Sequence, residues 1–160
     1  MKKNNKKLGF ALIEVLIACS IISLTMIVLM QAAAKGIELS NRSLKQVQVN
    51  SLLEEGAEAV KSIRDTNWTM ISNFSLETNH YLAYDSNLNQ WTLGVSPIEI
   101  VDGFFTRTII FSPVYRDVND NISDFGTLDS GIKKVNITIT WPGSTVNSKT
   151  LIIYLANILN

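Results

Sequence analysis

The stretch VLIACSIISLTMIVLMQAAA, residues 15–34, decides how this chain is read, because it runs for 20 positions without a charge. A helix of that length, at ~1.5 Å per residue, covers the ~30 Å hydrocarbon core of a bilayer. The alternative is a helix buried in a globular core, which needs a larger surrounding domain than a chain of 160 residues supplies. Lys2, Lys3, Lys6 and Lys7 precede the run and favour an N-terminus held in the cytoplasm, with the remainder exported. Lys35, Arg42 and Lys45 lie on the far side, so the charge bias is modest.

Charge is distributed unevenly around this segment. The formal net charge is zero, with 14 basic and 14 acidic residues. Residues 1–9 carry +4, residues 10–34 hold only Glu14, and residues 65–160 carry five bases against nine acids. The 46% apolar content, with three prolines and eight glycines, argues against a largely disordered chain. One cysteine, Cys19, leaves no internal disulfide framework, and with the single His80 it leaves no Cys/His zinc cluster. No basic patch follows the lysines, so the electrostatic footprint of a nucleic-acid binder is missing. The division expected is a basic leader at 1–9, a transmembrane helical half at 10–34, an amphipathic helical half at 35–65 and an exported β-rich domain at 66–160.

An ordinary secretory signal places its small-residue cleavage site after a short apolar region. Here Gly9 comes before the apolar run, so processing at Gly9 removes the leader and leaves the helix on the mature protein. Glu14 lies at the start of that helix. A carboxylate there costs a few kcal/mol in lipid and is a functional hypothesis by default, although near the helix end it can also snorkel to the headgroups. Cleavage after Gly9 creates an α-amine on Phe10, a cation able to pair with a neighbouring copy's Glu14.

The stretch KKLGFALIEVLIA, residues 6–18, resembles the cleavage and methylation motif of type IV pilin-like proteins, a family of major pilins, minor pilins and pseudopilins. The resemblance implies a prepilin peptidase that cuts between Gly9 and Phe10 and N-methylates Phe10, with Glu14 guiding assembly into a helical filament. It further implies other pilin-like subunits, an inner-membrane assembly platform and membrane lipid as partners. Ala11 stands where the family usually has Thr or Ser, and no proline interrupts the apolar run. A rival motif overlaps: Leu16-Ile17-Ala18-Cys19 satisfies a bacterial lipobox, which makes a surface binding protein lipidated at Cys19 the alternative. Against it, Glu14 interrupts the apolar region and the apolar run continues past the cysteine.

Beyond the membrane segment, Val49, Leu52, Leu53, Gly56, Ala59, Val60 and Ile63 form one stripe at the 3.6-residue period, with Glu54, Glu58 and Lys61 on another face. The stripe predicts helix–sheet packing, and Gly56 and Ala59 permit close approach. The polar stretch from Ser40 to Gln48 reads as a weak joint, and Asp65-Thr66-Asn67 as a stop. From Trp68 the pattern turns to period 2. Residues 68–75 connect helix to sheet; 80–84 and 90–94 form a hairpin; 104–114 is a strand ending near Pro113. Residues 133–141 and 149–155 are strands around the turn Pro142-Gly143-Ser144. The expected fold is α+β, a long N-terminal transmembrane spine helix packed on a small, mainly antiparallel sheet.

Two further features bear on chemistry. Asp117, Asn119, Asn121 and Asp124 superficially resemble a calcium loop, but Ile122 stands where glycine is needed and no glutamate closes it. The alternative is a solvated turn, and the expectation is no metal. His80, between Asn79 and Tyr81, has no identifiable partner and reads as an exposed strand-edge residue. No phosphate loop, nucleophile elbow or Cys/His dyad is present, so an anchored enzyme is the least supported class. The reading is a structural subunit, a minor pilin or pseudopilin of a type IV pilus-like or type II secretion-like filament, without catalytic residues or cofactor.

Overall fold

The structure is a computed structural model that describes residues 5–143 and 145–158, with side chains from residue 12 onward. Gly9 and Phe10 lie within the first helix, but their side chains fall outside the described residues, as do Lys2, Lys3 and Ser144. The chain forms two compact units, Met1–Gln46 and Val47–Asn160.

Helix α1, Asn5–Thr66, runs through both units without a break. In the first unit its large apolar side chains, from Leu12 to Met30, are all exposed. The segment carries enough length and hydropathy to cross a bilayer. Its internal hydroxyls fold back onto the helix: Ser20 donates to the Ile17 carbonyl at 2.8 Å, Ser23 to that of Cys19 at 2.7 Å and Thr25 to that of Ile22 at 2.8 Å. Each hydroxyl proton is thus satisfied inside the helix, which lipid requires. The polar stretch at 40–48 is helical.

In the second unit α1 packs on antiparallel sheets. Val49, Leu53, Ala57, Ala59, Val60 and Ile63 are buried, and Leu52 packs at the margin. At Gly56 an added Cβ would stand 3.1 Å from Ile137 Cγ2 and 3.2 Å from Arg107 Cδ, so the missing side chain is what lets the helix lie this close. The helix ends at Thr66. Asn67 then takes extended backbone angles and its side chain accepts the Thr69 amide at 2.8 Å, capping a short helix α2, Trp68–Asn73, inside the stretch expected to be a plain connector.

Strands β1 (Tyr81–Asp85) and β2 (Gln90–Gly94) form the expected hairpin. The larger sheet contains β3 (Ile100–Val101), β4 (Phe105–Arg116), β5 (Ile122–Ser123), β6 (Thr127–Trp141) and β7 (Asn147–Ala156). Its order is β3-β4-β6-β7, and β5 pairs with β4. Alternation drives the burial: Phe105, Ile109 and Phe111 of β4 and Val135, Ile137, Ile139 and Trp141 of β6 face the helix. Three expectations need correction. Strand β4 does not end near Pro113, because a register shift between Pro113 and Val114 absorbs the missing amide and pairing resumes to Arg116. Strand β6 starts at Thr127 rather than 133, extended by the pairing of Thr127, Leu128 and Asp129 with the end of β4. His80 is not an exposed edge residue, being only 2% exposed. Its backbone bridges Ile109 through bonds of 2.8 and 2.9 Å, and its ring stands edge-on to both Phe74 and Phe111.

Candidate functional site

The N-terminal helix carries the functional candidate of the first unit. Glu14 lies on the described helix between Ile13 and Val15, all three exposed. Its carboxylate has no hydrogen bond or ion pair among the described residues. A carboxylate on an otherwise apolar helix surface is costly in lipid. Cys19, free and exposed, is one apolar position among many on that surface. Where the apolar run ends, Lys35 and Arg42 both reach Glu38, at 2.7 and 2.6 Å. The Lys35 hydrogen bond, aided by the charges of both bases, holds the Glu38 carboxyl below its ordinary range.

The second unit holds a buried charge cluster that the sequence analysis missed. Arg107, 1% exposed, faces inward from β4 between Phe105 and Ile109. Its Nε donates to Glu99 at 3.0 Å and its Nη2 donates to the other oxygen of the same carboxylate. Nη1 donates to the Leu52 carbonyl of α1 at 3.0 Å and lies 3.4 Å from the half-exposed Glu55 carboxylate. The guanidinium also lies 5.9 Å from the Trp91 ring centroid. Each of its three nitrogens has a partner, so the cluster ties α1, β4 and the segment before β3 together and reads as structural. The signal available in sequence was an arginine at an inward position of an alternating strand.

The calcium-loop candidates are not assembled as one ligand set. Asp117 Oδ1 accepts the amides of Asn119 and Asn121 at 2.8 and 2.9 Å, and Oδ2 accepts the Asn121 side-chain amide at 3.2 Å. These donors, the Asn121 amide foremost, lower the Asp117 carboxyl below its ordinary value. Asp124 lines a different cavity, beside Lys134 and Tyr154, whereas Asp117 lines a cleft with Arg116 and Asp129. The loop is closed by its own hydrogen bonds, in the manner of an Asx turn. His80 has apolar ring neighbours, and its Nδ1 is buried without a hydrogen-bond partner. No acid or nucleophile is paired with it among the described residues.

Residues 4–30 match a family model described as the prokaryotic N-terminal methylation motif. No curated protein matches the chain, and no solved structure does. The matched segment spans the Gly9–Phe10 junction, Glu14 and the apolar helix. It implies processing by a prepilin peptidase, assembly with other pilins and a membrane anchor. The chain thus carries the prepilin signature of type IV pilin-like proteins, on a membrane-length helix that continues into an α+β domain.

Proposed function

We propose that this protein is a non-catalytic filament subunit, a minor pilin or pseudopilin, working in a type IV pilus-like or type II secretion-like filament without a metal or cofactor. It is cut after Gly9 and N-methylated at Phe10. Before assembly it sits in the cytoplasmic membrane with its N-terminus inside. The observation that carries the reading is Glu14, without a partner among the described residues, on an apolar helix within the methylation motif. Removal of the leader creates a cationic amine at Phe10. Its pairing with Glu14 of an adjacent subunit relieves the cost of a carboxylate in lipid. Subunit addition is then favoured by mutual neutralisation, and the apolar surface passes from lipid to neighbouring helices.

The test is the intact mass of the protein extracted from its native membrane. Loss of residues 1–9 with gain of one methyl group is expected, and Gly9→Ala abolishes both changes. A diacylglyceryl adduct on Cys19, or an unprocessed wild-type chain beside an active prepilin peptidase, refutes the proposal. Glu14→Val leaves processing intact and reduces filament incorporation at least about tenfold, the equivalent of 1.4 kcal/mol; unchanged incorporation sinks the pairing mechanism.

A further inference from the structure

A cavity of about 190 Å³ opens on the sheet face turned away from α1. Its floor is a row across three strands: Ser112 of β4 opposes Lys134 of β6, which opposes Tyr154 of β7. Tyr115, Asp124 and Glu77 stand in the wall, beside Pro113, Val114, Ile122 and Ser123. The site gathers several polar side chains with unused hydrogen-bonding capacity around one cavity. Arg107, Arg116 and Asp129 have their polar atoms engaged within the chain. The side chains of Glu77, Asp124, Lys134, Tyr115 and Tyr154 make no hydrogen bond or ion pair among the described residues.

The same face continues as a polar strip. Beyond Ile110, Asn136 and Ile152 come Thr108, Thr138 and Thr150 in one row and Thr106, Thr140 and Ser148 in the next. The Thr138 and Thr150 hydroxyls lie 2.9 Å apart. Rows of this kind repeat at ~6.8 Å along the strands and ~4.8 Å across them.

Charge narrows the ligand class. An anion entering the cavity meets two carboxylates, and a cation meets Lys134. A neutral molecule dense in hydroxyls, with apolar C–H faces for tyrosine rings, suits all five groups. We infer that this cavity binds a terminal pyranose of a neutral glycan, with the linked sugars lying along the threonine strip. Glu77 and Asp124 accept from sugar hydroxyls, Lys134 donates to a ring or bridging oxygen, and Tyr154, 47% exposed, offers its ring. The inference goes beyond the filament reading and is independent of it, since it concerns the second unit alone.

The experiment is a titration of the isotope-labelled full chain in detergent micelles, followed by NMR. The probes are cellobiose, lactose and diacetylchitobiose, with 3′-sialyllactose as an anionic arm and spermidine as a cationic arm. At least one neutral disaccharide should shift the Lys134 and Tyr154 resonances saturably, with a Kd on the order of millimolar. Lys134→Ala and Tyr154→Ala, both at exposed or half-exposed positions, should each weaken binding about tenfold while leaving the thermal midpoint unchanged. Three results overturn the inference: no saturable shift with any neutral probe up to roughly 20 mM, binding of only the charged probes, or equal affinity in both variants.

Discussion

Truncating Glu99 should do more damage than its position outside the core strands suggests. Its carboxylate accepts from Nε and Nη2 of Arg107 and also from the Leu82 amide at 3.2 Å. Glu99→Ala strands three donors at once, two of them on a guanidinium that is 1% exposed. Removing one partner of a buried ion pair costs about 3–5 kcal/mol, because the remaining charge stays desolvated. Glu55 and the Leu52 carbonyl still hold Nη1, so the lower half of that range, about 3–4 kcal/mol, is expected. With a urea slope of about 2 kcal/mol/M, the unfolding midpoint falls by about 1.5–2 M.

The assay is urea unfolding of the full chain in micelles, followed through the fluorescence of Trp91, whose ring lies beside Arg107. Arg107→Met combined with Glu99→Leu should recover most of the loss, because an apolar pair of similar volume carries no desolvation penalty. The half-exposed Glu55 then turns to water. A cost below about 1 kcal/mol for Glu99→Ala shows that water reaches the guanidinium. A double variant no better than the single one shows that Glu99 acts through packing and not through charge. Either result refutes the reasoning.

His80→Phe should hold or raise stability, by up to about 2 kcal/mol, since it removes a buried unpaired Nδ1 from between Phe74 and Phe111; a lower urea midpoint would show that the imidazole is needed. Gly56→Leu should cost about 1–3 kcal/mol, because its side chain enters space held by Ile137 and the clamped Arg107. Gly56→Ala should be far milder, as gained helix propensity of about 1 kcal/mol offsets the tight contact; denaturation midpoints of the two variants check the difference. The Arg116 hydrogen bond, with help from the Gly131 amide, lowers the Asp129 carboxyl below its ordinary value. Its stabilisation is therefore complete above about pH 4 and lost as pH falls through the lower folded value. Asp129→Asn should flatten the pH dependence of the urea midpoint below about pH 4 and leave its slope between pH 5 and 8 unchanged.

The parts of the fold that the sequence revealed are those written in local periodicity. The charge-free run at 15–34, the stripe from Val49 to Ile63 and the alternation through Val135, Ile137 and Ile139 each need only neighbours along one element. What stayed hidden depends on partners distant in sequence. Arg107 occupies an inward slot of β4, but Glu99 and Glu55 reach it only once β3 and α1 are in place. His80 has polar and aromatic neighbours in sequence and apolar ones in space, because the bridge to Ile109 turns it under Phe74. Pro113 looks like a strand end by local rule, yet β6 pairs on both sides of it and the register shift is the smaller cost. The Lys134–Tyr154 cavity was invisible for the same reason: its row is made by register across three strands.

The polar groups of this protein differ in how far the chain itself satisfies them. Arg107, Arg116, Asp117 and Asp129 are matched inside the chain and build it. Glu14 and the cavity side chains have no such partner among the described residues. Their situations differ in energy. Water reaches Glu77, Asp124 and Lys134, so leaving them unmatched costs little and any ligand there binds reversibly and weakly. Glu14 stands on an apolar helix long enough to cross a bilayer, where a carboxylate that does not reach the headgroups carries a cost. Under the proposed cleavage, the four leader lysines go and the side-chain charge falls from zero to −4. The new Phe10 amine is then the cation nearest to Glu14 in sequence. Phe10 and Glu14 lie one turn apart on one continuous helix, so the new amine can partly screen its own Glu14. Under the proposed function, the amine of a second subunit completes that neutralisation in the filament, which makes assembly a favoured route by which this carboxylate is satisfied within the membrane.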